Sequence, residues 1–169
     1  IGESPDSVRA TLRGRLVPAG DTPAGWRVRL GEDALGADVR AGLSDGSIRR
    51  ILIIGQGTAA IAGSSVARAL EAELAESNGI IVEELPGTEL SGFGLTPDMS
   101  DTLVVAISQS GTTTDTNRTV DLVRVRGARV VAIVNRRNSD LVDRADGVLY
   151  TSDGRDVEMS VASTKAFYA

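Results

Sequence analysis

Cysteine and histidine are both missing from the 169 residues of this chain. The first absence removes disulfides, thiolate catalysis and cysteine metal sites. The second removes imidazole, so the usual zinc spheres and a Ser-His-Asp triad cannot be built from this chain alone. Any proton transfer falls to carboxylates, lysine or a partner. No metal and no cofactor is expected. Aromatic residues are scarce, at 3% against 41% hydrophobic residues overall, which leaves an aliphatic, alanine-rich core to fill the interior. Basic residues are outnumbered, 18 against 23 acidic, for a net charge of −5 and a pI near 4.8. A nucleic-acid surface needs a basic patch to displace counterions, so that partner is argued against. No apolar run approaches the roughly 20 residues of a membrane span, and the N-terminus has no charged start followed by an apolar stretch. The expectation is a cytoplasmic protein with no membrane partner.

What is present is about one domain's length of alternating patterns. Ser4-Pro5-Asp6 reads as a helix start, with a short helix running through Arg13. Leu16 to Trp26 reads as a loop, and Leu35, Val39 and Leu43 as one face of a second helix interrupted by Gly36 and Gly42. From Arg49 the signal sharpens. Ile51-Leu52-Ile53-Ile54, Ile80 to Leu85, Leu103 to Ile107, Arg129 to Val134 and Gly147 to Tyr150 read as five strands. Between them lie helices over Ala59 to Glu76, Asp115 to Arg126 and Ser139 to Arg144, with a short irregular piece over Pro86 to Gly94. This alternation predicts an α/β fold, a three-layer αβα sandwich around a parallel sheet of about five strands. Ligands of such sheets sit at the carboxyl ends of the strands. Ile1 stands in the place of an initiator Met, and the chain stops at Ala169 just inside a helix-like stretch from Ser163. Both suggest a piece of a longer protein.

Two turns fall at that carboxyl edge. Ser108-Gln109-Ser110-Gly111-Thr112-Thr113-Thr114 follows the third strand and opens a helix. Unpaired backbone N–H groups and the helix dipole favour an anion there, Gly111 lets the backbone approach it, and the hydroxyls add uncharged donors. The same residues would also serve simply to cap a helix. Gly55-Gln56-Gly57-Thr58-Ala59-Ala60 follows the first strand and fits the G-x-G-x-x-A dinucleotide fingerprint, with Glu83 or Glu84 near the place of the ribose-binding acid. A dinucleotide does not account for the second, hydroxyl-rich turn. Two such turns suit a small ligand with one phosphate and several hydroxyls.

Ser108-Gln109-Ser110-Gly111-x-Thr113 with Asp115-Thr116, taken together with Val161-Ala162-Ser163-Thr164-Lys165-Ala166-Phe167, closely resembles the sugar isomerase (SIS) domain of the glucosamine-6-phosphate synthases. The opening, through Pro5, Leu12 and Gly14-Arg15, is similar to the start of that family's isomerase region. The resemblance implies a flavodoxin-like, doubly wound SIS fold. Residues 1–46 would be an irregular, helical lead-in, and 47–169 the first of two SIS halves, truncated at its C-terminal end. It implies a parent enzyme that takes fructose 6-phosphate, adds ammonia at the carbonyl carbon and isomerises the product to glucosamine 6-phosphate. By position, Ser108, Gln109, Ser110, Gly111 and Thr113 would hold the phosphate. Thr58 would touch the sugar, Val161 and Ser163 would line its other side, and Gly55 and Gly57 would form the turn. Lys165 matches the motif without a catalytic role.

The same resemblance places the catalytic carboxylate and lysines in a second SIS half, a ring-opening histidine on a neighbouring subunit, and glutamine hydrolysis in an amino-terminal glutaminase domain. This piece would then bind a hexose 6-phosphate, fructose or glucosamine 6-phosphate, within a homodimer and carry no catalytic residue of its own. Two departures stand out. Gln56-Gly57-Thr58-Ala59 replaces the family's usual Cys-Gly-Thr-Ser, losing one hydroxyl donor, and Thr112 stands where glutamate is frequent. They motivate an alternative, a regulatory or sensory phosphosugar-binding SIS module. An NAD(P)-binding oxidoreductase domain is the other alternative, resting on the first glycine turn.

Overall fold

The computed structural model describes residues 4–74 and 79–151. Its centre is a five-stranded, wholly parallel sheet of β3 (Arg50–Gly55), β4 (Ile81–Pro86), β5 (Thr102–Ser108), β6 (Arg129–Val134) and β7 (Gly147–Tyr150), in the spatial order β4-β3-β5-β6-β7. Each predicted strand is present to within a residue or two. The β-branched runs explain why: a strand covered on both faces needs apolar residues at every position, and Ile51 to Ile54 are all buried.

Side chains along these strands alternate between two aliphatic cores. Leu52 and Ile54 of β3, Val104 and Ala106 of β5, and Val130 and Ala132 of β6 face one side. There they meet Val120 and Val123 of α5 (Thr114–Arg124) and Leu141 of α6 (Asp140–Arg144). Ile51, Ile53, Leu103 and Val131 face the other side, with Val39 of α2 (Ala37–Asp45) and Ala67 of α3 (Thr58–Leu74). Val66, Leu70 and Leu74 of α3 line up against this second core, as their spacing predicts. Burying each such valine, leucine or isoleucine contributes roughly 1.5–3 kcal/mol. The result is the doubly wound αβα sandwich expected from the sequence.

The amino-terminal part differs from expectation in one place. Helix α1 (Ser4–Leu12) forms as predicted, but residues 16–26 are not a plain loop. Leu16–Pro18 (β1) pairs antiparallel with Trp26–Val28 (β2) in a separate two-stranded ribbon. Its turn is closed by Gly25 N–H donating to Thr22 O at 2.9 Å and Ala19 N–H donating to Gly25 O at 3.0 Å. Helix α2 forms despite its glycines: Gly36 lies outside the helix as its cap, and Gly42 admits Ile48, whose Cδ1 would be 2.8 Å from a Cβ there. After β4 the chain makes a short helix α4 (Gly87–Glu89) that widens into a π-helical turn, Leu90–Gly94, anchored by the fully buried Leu90.

The strand order fixes where a ligand can sit. The chain leaves β3 for α3 and β4 on one side, then returns to β5 on the other side of β3. At such a reversal the loops after the two central strands diverge and leave a crevice at their carboxyl ends. The loops concerned are residues 55–58 and 108–114.

Candidate functional site

Strands β3 and β5 run side by side, with Ile54 opposite Ala106, and end at Gly55 and Ser108. The two turns singled out in the sequence therefore leave neighbouring strands at the reversal point. Each is shaped by a glycine that cannot be exchanged freely. A Cβ on Gly55 would stand 2.7–2.9 Å from backbone atoms of Ala59 and Ala60, so the first turn of α3 folds directly onto it. Gly111 has φ +66°, in the left-handed region that glycine enters without steric cost.

The second turn is an ordered hydroxyl array. Ser108 Oγ is buried and accepts the Gly111 N–H at 3.0 Å. It also lies 3.3 Å from Thr113 Oγ1, with either hydroxyl able to donate. Ser110 Oγ accepts the Thr112 N–H at 3.3 Å and the Thr112 hydroxyl at 3.1 Å. Thr113 is the N-cap of α5, yet its side chain makes no capping hydrogen bond to the helix. The simple capping role therefore does not occupy this hydroxyl, which is turned toward Ser108 instead.

Carbonyl groups of the turn are engaged on the protein side. Gln109 O accepts N–H bonds from Asn135 at 3.2 Å and Arg136 at 3.3 Å, beyond the end of β6. Gly111 O accepts Leu141 N–H at 3.0 Å and Asn117 Nδ2 at 3.2 Å, and Thr113 O accepts Asn117 N–H at 3.0 Å. Helices α5 and α6 and the residues just after β6 thus hold the turn from behind. What the carbonyl bonds leave available are the hydroxyls and the amino-terminal end of an 11-residue helix, where partial positive charge accumulates. Such an arrangement can hold an anion without a charged side chain.

In the first turn, Gly57 has φ +59° and Thr58 opens α3, half-buried. Gln56 is half-buried too, and its Nε2 lies under Gly87, 3.7 Å from where a Cβ on that residue would be. Gly87 O accepts the Thr119 hydroxyl at 2.9 Å. Gln56 Nε2, Thr116 Oγ1 and Asn117 Oδ1 are buried polar atoms without a hydrogen-bond partner among the described residues. Gln56 Nε2 therefore lies beside α4 without a hydrogen bond to it.

The structure thus brings Ser108, Gln109, Ser110, Gly111 and Thr113 onto one turn and puts Gly55, Gly57 and Thr58 on the turn beside it. Val161, Ser163 and Lys165, together with the helix expected from Ser163, lie outside the described residues. Sequence reasoning missed Asn117, Ser139 and the Asn135–Arg136 amides. Asn117 carried a faint signal, a polar residue four positions after Thr113 on the helix side that contains Val120. The amides carried none, because they reach the turn only through the pairing of β5 with β6.

A separate cavity of about 720 Å³ lies along the carboxyl end of β7 and includes none of the residues of the two turns. Arg13, Arg15, Arg29 and Arg137 line it with Asp33 and Tyr150. Arg15 donates to Tyr150 O at 2.7 Å and to Thr11 O at 3.1 Å, and the Arg137 guanidinium stacks 4.2 Å over the Tyr150 ring. Among the described residues, Asp45 and Asp98 are carboxyls held below their usual range, at the opposite, amino-terminal edge of the sheet. Backbone N–H bonds from Ser47 and Ser100 stabilise their ionised forms. Among the described residues no helix is long and apolar enough to cross a membrane.

Comparison with known proteins agrees with this architecture. The SIS domain family matches residues 47–169. The glutamine–fructose-6-phosphate aminotransferase (isomerizing) of Symbiobacterium thermophilum is 42% identical over 168 residues, covering 99% of this chain and 25% of that protein. Among solved structures, the C-terminal domain of glucosamine-fructose-6-phosphate aminotransferase from Francisella tularensis superposes with a TM-score of 0.71 at 27% identity, covering 98% of this chain and 41% of that one. The Vibrio vulnificus NanR protein complexed with ManNAc-6P superposes with a TM-score of 0.62 at 20% identity, over 99% of this chain and 55% of that one, which shows a shared fold. This chain spans about a quarter of the length of the curated relatives it matches. With the strand order, the two turns and these matches in agreement, the chain belongs to the SIS domain family and is homologous to the isomerase region of the glutamine–fructose-6-phosphate aminotransferases.

Proposed function

We propose that this chain is the phosphate-gripping first SIS half of a protein that aminates and isomerises fructose 6-phosphate. Ser108, Gln109, Ser110, Gly111 and Thr113 hold the phosphate, and Thr58 meets the sugar. Val161 and Ser163 complete the sugar's surroundings. The carrying observation is the convergence of Ser108, Ser110, Gly111 and Thr113 on a single turn whose hydroxyls are free of capping duty. A hexose 6-phosphate presents what such a turn recognises: an oxygen-rich anion at one end and hydroxyls at the other. Residues 1–46 act as a lead-in to the SIS unit of 47–169, in keeping with the family match beginning at residue 47. The chemistry belongs to a second SIS half and a glutaminase domain of the parent chain, in a cytoplasmic homodimer. This half supplies binding and orientation, and leaves catalytic groups to the other parts.

The relatives that match along the whole of this chain are aminotransferases, which does not favour a purely regulatory module. Of the two acids placed for a ribose, Glu83 is paired with Arg50 at 2.5 Å, and a dinucleotide leaves the hydroxyl-rich turn after β5 without a role. Titration of the full-length protein with fructose 6-phosphate, glucosamine 6-phosphate and NAD by calorimetry tests the reading. The sugar phosphates are expected to bind and NAD not. Tight NAD binding with no sugar-phosphate heat overturns it.

A further inference from the structure

The cavity at the carboxyl end of β7 takes no part in the phosphosugar reading, and its charge is opposite to that of the chain around it. Four arginines and one aspartate line it, +4 and −1, for a charge of +3. The chain as a whole, with 18 basic and 23 acidic residues, stands at −5. Six arginines elsewhere each have a carboxylate partner. Arg13, Arg29 and Arg137 of the cavity have none among the described residues. Like charges gathered without a counterion repel one another, and a cleft lined by one sign of charge concentrates small ions of the other.

Tertiary contacts fix the walls. Val148 N–H donates to Asp33 O at 2.8 Å, which fastens the lead-in to β7, and Arg29 N–H donates to Arg15 O at 2.7 Å, which sets those two residues side by side. The Arg15 guanidinium is held at two points, by Tyr150 O and Thr11 O, and keeps its remaining N–H donors for a ligand. The Arg137 guanidinium has one face covered by the Tyr150 ring, while the N–H groups in its plane stay available. A guanidinium held in this way loses little freedom on meeting an oxyanion, and can take it side-on through two N–H groups.

We infer that this cavity is a second anion site, for a small molecule carrying two or more carboxylate or phosphate groups. Its volume, about 720 Å³, is that of a small-molecule pocket, and a charge of +3 matches two or three anionic charges better than one. None of the residues of the two turns after β3 and β5 line it, so the inference does not rest on the phosphosugar reading. The cavity and the turn after β5 share one loop: Asn135 lines the cavity, and its N–H donates to Gln109 O at 3.2 Å.

Calorimetric titration of the full-length protein with pyrophosphate and with citrate tests this, in saturating glucosamine 6-phosphate so that the turn after β5 is occupied. At least one of the two anions is expected to bind at a single saturable site per chain. Pyrophosphate alone identifies a phosphate ligand, citrate alone a carboxylate, and both together a site that reads charge. R13Q and R29Q each remove a charge from an exposed side chain that makes no hydrogen bond among the described residues. Each should weaken binding about tenfold, the effect of losing a hydrogen bond to a charged group. R68Q, on an exposed position of α3, is the control and should leave binding unchanged. Binding of neither anion overturns the inference, and a cavity already filled by the protein's own carboxylates gives that same result. Wild-type affinity in both R13Q and R29Q overturns it, as does an R68Q that weakens binding as much as they do, which marks diffuse attraction. Anion binding that glucosamine 6-phosphate abolishes puts the anion on the turn and overturns it too. Failure of glucosamine 6-phosphate itself to bind refutes the phosphosugar reading alone, because R13Q and R29Q still report on the cavity.

Discussion

Replacing Gly111 with alanine puts a methyl group into a constrained position of the turn after β5. Two costs arise, and they separate cleanly. The residue holds φ +66°, and an L-residue in the left-handed region costs about 1–2 kcal/mol. The new Cβ would also stand 2.0 Å from Ser139 Oγ, 2.7 Å from Ser139 Cβ and 3.0 Å from Val134 Cγ2. Relieving such overlap in a packed setting costs about 1–3 kcal/mol more. Ser139 has little freedom to yield, being 3% exposed, with its hydroxyl donating to Arg136 O at 3.1 Å. The expected total is about 2–5 kcal/mol of unfolding free energy. G57A is the internal reference: its φ is +59°, but nothing lies within 4 Å of its Cβ, so only the backbone cost of about 1–2 kcal/mol applies. Urea denaturation of the two variants, with m-values compared to confirm two-state behaviour, measures the difference. The cycle completed by S139G and the double variant isolates the steric part, because S139G removes both Ser139 contacts. G111A should cost less in the S139G background by about 1–2 kcal/mol. If G111A costs no more than G57A, or the cycle shows no coupling, the packing of α6 against this turn is not what demands glycine.

Two further outcomes can be checked. A59S restores the hydroxyl found in the family's usual Cys-Gly-Thr-Ser pattern at the first turn of α3. One added neutral hydrogen bond of about 1 kcal/mol should tighten fructose 6-phosphate about fivefold in a calorimetric titration, and an unchanged affinity would place Ala59 outside the site. Asp98 has a lowered folded-state pKa, chiefly through the Ser100 N–H bond, so its contribution to stability is complete above the ordinary carboxylate range and disappears as pH falls through the lowered value. D98N should therefore flatten the acid limb of a stability–pH curve below pH 3.8, the ordinary value for this carboxyl. A wild-type Asp98 titrating at or above that value by NMR would contradict this.

The sheet was readable because its strands are buried on both faces, which forces unbroken runs such as Ile51–Ile54 and Val130–Val134 and leaves little ambiguity of period. Helices α3 and α5 were readable for the complementary reason, their apolar residues returning every three or four positions. The β1–β2 ribbon escaped detection because it has neither signature. Its strands are three residues long, Pro18 ends one of them, and Trp26 and Val28 are exposed, so no alternation marks an inner face. Gly42 misled in a different way. Read locally it weakens a helix, whereas in the fold it makes room for Ile48, a contact that follows only from how α2 meets β3. The turn after β5 itself was visible in its hydroxyls and glycine. The way its carbonyls are held was not, since that depends on Asn117, Leu141 and the amides beyond β6, which tertiary packing brings to the turn.

The binding of Gln109, Gly111 and Thr113 carbonyls by the residues just after β6 and by α5 and α6 has a kinetic meaning. A loop that must rotate its peptide groups to meet an anion is slow to load and loses conformational freedom at the moment of contact. Here those rotations were completed when the chain folded, and each carbonyl is restrained by an element of the rigid sandwich. Capture at this turn should therefore resemble docking onto a fixed surface, with an association rate set by diffusion and a lifetime set by the hydroxyls and the helix start.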